Sequence, residues 1–165
     1  WTMLKTFRKN MAPALERNSI LLNSKILHPD ALPVINQAFF RFNSHGELAL
    51  DKKKATINLI NYINIAIKNP HCNFTLWTKR FDIIKPYFDK NKKPKNFILV
   101  YSNPKINHIF KKPPTHFDKT FNNVYENIEV KKQNCTGQKC KDCLLCYKLN
   151  TTDTIVEKVK SYGKK

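Results

Sequence analysis

The chain has 165 residues, 41% of them hydrophobic, and 30 basic against 12 acidic side chains give it a net charge of +18. That length suits one domain able to bury about two-thirds of its unfolded surface without cysteine cross-links. No apolar run approaches the roughly 20 residues of a membrane span, and no signal peptide is visible. No Walker loop, Gly-x-Gly-x-x-Gly or Gly-x-Ser-x-Gly motif is present, which removes the nucleotide-hydrolase and esterase readings.

A positive field attracts nucleic acid, and nucleic acid is therefore kept as a partner. Two features weaken the inference. Only Arg8, Arg17, Arg41 and Arg80 are arginine, and the abundance of Lys, Asn and Ile suggests an AT-rich coding sequence. The lysines also fall in short scattered runs, Lys52 to Lys54, Lys90 to Lys95, Lys111 and Lys112, which ordinarily form solvated faces.

Taken in order, the segment up to Lys25 reads as helical, with Pro13 opening a second helical piece. HPDALP, from His28 to Pro33, is a loop. AFFRFN, Ala38 to Asn43, is a first strand ended by the turn at Gly46. A helix fits Lys53 to Lys68, with Asp51 as N-cap and Ile57, Ile60, Ile63 and Ile67 at helical spacing. NFTLWT, Asn73 to Thr78, is a second strand, and FDIIKPYFDKN a short helix interrupted or restarted at Pro86. Asn96 to Ser102 is a third strand, apolar enough to be buried on both faces. Lys119 to Tyr125 is a weaker fourth, and TDTIVEKVKS closes the chain as helix or strand.

Strands alternating with helices predict an α/β fold, either a partial parallel (β/α) barrel or a small open parallel sheet with a Cys-rich metal-binding C-terminal loop. Residues 1–130 form the α/β domain and 131–165 a four-cysteine segment packed on it. Function is expected at the C-terminal ends of the strands. His45 and Glu47 after the first strand could pair as acid and base, though a polar turn explains them as well. Lys79 and Arg80 after the second could bind a carboxylate or phosphate, or be plain surface charge. Ser102 and Asn103 after the third complete the substrate-pocket candidates. Trp77 reads as core more than as a base-stacking platform.

NCTGQKCKDCLLCYKLN places Cys135, Cys140, Cys143 and Cys146 in one span. The length of the chain, its five cysteines and the lack of a signal put disulfides last and favour a reducing, cytoplasmic setting. Two Cys-x-x-Cys steps share Cys143, which crowds a simple zinc knuckle, whereas successive thiolates at short spacing suit an iron–sulfur cluster. Iron–sulfur is favoured, with zinc as the alternative. Lys139 and Lys141 would help to keep the thiols ionised, and Gly137 lets the loop turn. Cys72 reads as a small buried residue entering the second strand, or else as an extra ligand beside His71.

FFRFNSHGEL, NPHCNFTLWTKR, KKPKNFILVYSNP and CTGQKCKDCLLCY, in this order, resemble the phage gene product 88 domain family, from Arg41 to Tyr147. The carrying features are Thr78-Lys79, the Pro94-x-Asn96 step and the Cys143 to Tyr147 end. The same order is similar to radical S-adenosylmethionine-like phage proteins with partial α/β barrels. That likeness implies a further Cys-rich segment ahead of the first helix. No cysteine precedes Cys72. The chain opens on Trp1, so a trimmed beginning is expected, and S-adenosylmethionine enters only if such a segment exists.

The leading expectation is an iron–sulfur protein of phage or mobile-element type in a bacterial host cytoplasm, of redox or radical type if it is an enzyme. The alternatives are a zinc-stabilised nucleic-acid-binding module and a non-catalytic protein that engages a host partner.

Overall fold

The computed structural model describes residues 10–43, 46–130 and 133–159. Five strands, β1 (Phe39–Phe42), β2 (Asn73–Thr78), β3 (Phe97–Ser102), β4 (Lys119–Tyr125) and β5 (Thr154–Val159), form one all-parallel sheet in sequence order. The sheet curls into a half-barrel. It confirms the expected α/β class, and Thr154–Val159 of TDTIVEKVKS forms the fifth strand. β5 pairs along β4 from Thr120↔Thr154 to Tyr125↔Val159, so the sheet runs from the 1–130 region into the C-terminal segment.

Three helices cover one face. α1 (Met11–Ser24) packs on α2 (Lys52–Lys68), which with α3 (Phe81–Phe88) lies against the strands. The side-chain period of two sends Phe42, Phe74, Leu76, Phe97 and Leu99 to that face. There they meet Leu59, Tyr62, Ile63, Ile83, Ile84 and Phe88 in the larger core. Cys72 belongs to this core and is fully buried, and His71 bonds the Ile35 carbonyl at 2.7 Å.

Asp51 caps α2 as its sequence suggests, accepting from the Lys54 N–H at 2.8 Å. Only part of the isoleucine stripe faces inward, with Ile63 buried in the core. Ala55, Leu59, Tyr62 and Ala66 are buried, whereas Ile67 is 60% exposed. Small alanines let the helix approach the sheet, and they fix which side faces inward. Pro86 neither ends nor restarts α3, which runs through it.

No helix joins β3 to β4. The 103–118 loop takes that place, held by side chains. Asn122 Oδ1 accepts from Asn103 Nδ2 and from the Phe110 N–H, both at 3.0 Å, while its Nδ2 donates to Thr120 Oγ1 and the Ile155 carbonyl. Phe110 and Phe117 pack edge-on against Tyr101.

The opposite, inner face carries Phe39 and Arg41 of β1, Thr75 and Trp77 of β2, Ile98 and Val100 of β3, Phe121 of β4 and Ile155 of β5, as alternation requires. Ile98, Val100, Phe121 and Ile155 form a second core, and Trp77, Cys135 and Cys146 pack against it. The connection from β4 to β5 thus lies across the inner face and brings the cysteines there. Among the described residues no helix is long and apolar enough to cross a membrane.

Candidate metal centre

The cysteine segment is fastened at both ends. At its start Asn134 acts like one residue of a sixth strand on the free edge of β5. Its Oδ1 accepts from the Val156 N–H at 2.9 Å and its Nδ2 donates to the Thr154 carbonyl at 2.8 Å. Cys135 follows, bridged to Glu157 with its N–H on the Val156 carbonyl. At the far end the Thr151 hydroxyl donates to the Leu145 and Lys148 carbonyls, and Lys119 donates to Thr151 Oγ1 at 2.8 Å and the Thr152 carbonyl at 2.7 Å.

Between these anchors the chain turns twice with positive φ, at Gly137 (77°) and Leu144 (56°). Gly137 suits the left-handed region because it lacks a Cβ, and Leu144 is held there between a single helical turn, α4 (Cys140–Cys143), and a 3-10 turn (Leu145–Tyr147). One of the thiols receives a side-chain hydrogen bond: Gln138 Nε2 donates to Cys143 Sγ at 3.2 Å. The backbone of Gly137 partly offsets the effect of burial on Cys135. Gln138 Oε1 accepts from the Thr136 hydroxyl at 2.7 Å, which fixes its orientation. Tyr147 sets its ring edge-on against Phe39, 5.5 Å between centroids, and seats the turn on β1.

All five cysteines are free. Burial, and then the charges of Cys140 and Cys135, push the Cys146 thiol up to about 12, while Arg41 pulls it down. Burial likewise raises Cys135. Cys140 is exposed. Cysteine thiolates in one segment are the residue type that zinc and iron–sulfur centres use. Among the described residues no three Cys, His, Asp or Glu side chains are drawn together closely enough to hold an ion.

The pocket candidates from the sequence fall into separate bonding groups. The Glu47 carboxylate accepts from the Thr78 hydroxyl and from the N–H groups of Leu48 (2.8 Å) and Lys79 (2.7 Å). Arg80 forms a fork with Asp82, at 2.8 and 2.9 Å, and its remaining arm holds the Ala49 and Leu50 carbonyls. Together they latch the β1–α2 loop to the end of β2. The fork raises the Arg80 pKa and lowers that of Asp82. The Lys79 side chain is exposed and Ser102 half-buried. Asn103 is buried at the start of the β3–β4 loop and shares no hydrogen bond with the latch, being bonded to Asn122 and to the Lys105 N–H. His45 lies outside the described residues.

The inner face holds residues that the sequence reading passed over. Arg41 lies over Trp77, 3.8 Å from the ring centroid, and Trp77 packs on Phe121 at 4.3 Å. Lys119 is fully buried, and desolvation lowers its pKa. A charged residue inside FFRF, on the opposite parity from Phe40 and Phe42, was the available signal for Arg41.

A family model for gene product 88 matches residues 4–134. The chain belongs to the gene product 88 family. The sequence resemblance runs from Arg41 to Tyr147, while the match starts earlier and stops just before Cys135. In this gene product 88 protein the matched span therefore supplies β1 to β4 and their helices, and the thiols come from the chain beyond it. No curated protein and no solved structure matches the chain.

Proposed function

We propose that this gene product 88 protein binds a metal through Cys135, Cys140, Cys143 and Cys146, as an iron–sulfur centre over the inner face of the half-barrel. The observation that carries the reading is a free-thiol segment bolted to β5 by Asn134 and packed on the inner core through Cys135 and Cys146. Gly137 and Gln138 would stabilise the thiolates, and the apolar floor of Ile98, Val100, Phe121 and Ile155 would keep water from one side. A bound cluster would supply one-electron transfer. A segment rich in free cysteines fits the reducing cytoplasm of a bacterial host. S-adenosylmethionine rests on the wider resemblance alone and is not part of this reading.

Protein purified without oxygen should be coloured, with iron and acid-labile sulfide retained together. Colourless protein carrying stoichiometric zinc would remove the iron–sulfur assignment and leave the thiolate site.

One surface favours a second reading, a zinc-stapled module that binds nucleic acid. Lys52 and Lys90 line one groove with Tyr87, Thr56 and Asn91, beside Asp82, whose charge Arg80 pairs. Binding there should weaken steeply as salt rises, since released counterions drive it. Affinity indifferent to salt would exclude it.

A further inference from the structure

A groove of about 400 Å³ lies between α2 and α3, lined by Lys52 and Thr56 of α2, by Pro86 and Tyr87 of α3, and by Lys90 beyond its end. Its charge is unbalanced. The carboxylates next to its lining residues are committed elsewhere: Asp82 to the Arg80 fork, Asp89 to Lys85 and His116, and Asp51 to the Lys54 N–H as the cap of α2. Lys52 and Lys90 are exposed and form no ion pair among the described residues. Lys53 and Lys54 follow Lys52 in the first turn of α2, which holds no acid. The helix dipole disfavours cations at that end. Charge placed there works against the helix and suits an anion arriving from outside.

The α3 side adds two further features. Pro86 has no N–H, so the Asp82 carbonyl lacks the donor that an unbroken helix would supply four residues on. Asp82 also lines the groove, which therefore offers an acceptor beside its cations. Tyr87 brings an aromatic ring, set edge-to-face against Phe88 with centroids 5.0 Å apart. A polyanion that also carries flat rings matches cations interleaved with an aromatic side chain.

We propose that this groove binds single-stranded nucleic acid, with Lys52 and Lys90 on phosphates and Tyr87 as the platform for one base. The inference rests on the nucleic-acid reading above and names its substrate class; it is independent of which metal the cysteines hold. Duplex bases are stacked inside the helix, out of reach of a ring in a concave groove, whereas a single strand can lay a base on it. The Thr56 hydroxyl is occupied by the Lys52 carbonyl and the Asn91 amide by the Tyr87 carbonyl. Few side chains are left to read base edges, so recognition is tolerant of sequence.

The test is fluorescence anisotropy of the full chain with labelled oligothymidylate of about 15 nucleotides, and with a duplex of equal length, across a salt series. The single strand should bind more tightly than the duplex. Lys52→Gln combined with Lys90→Gln should flatten the log–log salt dependence by about 1.4, two phosphates at roughly 0.7 each. Tyr87→Ala should weaken binding about 5–150-fold, and Tyr87→Phe should restore it, since the ring and not the hydroxyl stacks. Tyr87 also packs on the core, so the lysine pair, which does not, tests the groove separately. Removing two exposed lysines of the β3–β4 loop, Lys105→Gln with Lys112→Gln, should leave the affinity close to wild type. Equal losses from the two lysine pairs would overturn the proposal by showing a diffuse field, and so would tighter binding of the duplex. A wild-type chain that binds neither probe would defeat the nucleic-acid reading itself, which tells that failure apart from a misplaced groove.

Discussion

Asparagine side chains do much of the connecting in this molecule. Asn61 joins the end of α1 to α2 by accepting from the Leu27 N–H and donating to the Leu22 and Lys25 carbonyls. Asn96 gathers the carbonyls of Ala66, Asn69 and Cys72 where α2 gives way to β2. An amide offers donor and acceptor at once, so each can satisfy irregular backbone that no helix or ladder reaches. Asn122, like Asn61, is fully buried. Asn122→Ala should lower stability by about 1–3 kcal/mol, since the Phe110 N–H would lose its acceptor. A urea midpoint within error of wild type would contradict this. The same scale separates the cysteines. The thiolate is the nucleophile, so in metal-free protein iodoacetamide should modify exposed Cys140 first and Cys146 among the last. Peptide mass spectrometry that finds the two reacting at equal rates would disprove the burial of Cys146.

Among the elements, the Glu47–Arg80 latch shows how charged strand ends can serve the fold. Asp82 has its pKa held below the ordinary carboxylate value by the Arg80 hydrogen bonds. A depressed folded pKa gives stability that is present above the unfolded value, about pH 4, and is lost as pH falls through the folded one. Asp82 is 44% exposed, so solvent limits its contribution to well under about 1 kcal/mol. Asp82→Asn should therefore be slightly less stable than wild type at neutral pH, with the difference vanishing in acid. A gap that widened on acidification would reverse the assignment. In the sequence β2 was legible to the residue, because its aromatic and β-branched run sits between clear breakers, while β4 showed only as a weaker run around Lys119 to Tyr125. The inward side of α2 was not legible, since isoleucines mark a helix without saying which face the alanines allow to approach. TIVEKV was ambiguous for a related reason. Its Glu and Lys suit a helix, and only pairing with β4 decides for a strand. The latch was hidden because Glu47 and Arg80 find their partners across about thirty residues, in backbone groups that carry no sequence label.

For the whole molecule, the parallel sheet gives its helix face to the core and its inner face to the cysteine segment. Four thiols could be read from spacing alone. Their floor and their anchor at Asn134 depend on tertiary placement, as does the stacking of Arg41 on Trp77. The central claim is that these thiols hold a metal, and metal content per chain tests it most directly. Elemental analysis of anaerobically prepared protein should find iron in the wild type and none in Cys143→Ser, with both chains equally folded by circular dichroism. A wild-type chain free of bound metal, or a Cys143→Ser chain that keeps all of it, would contradict the account.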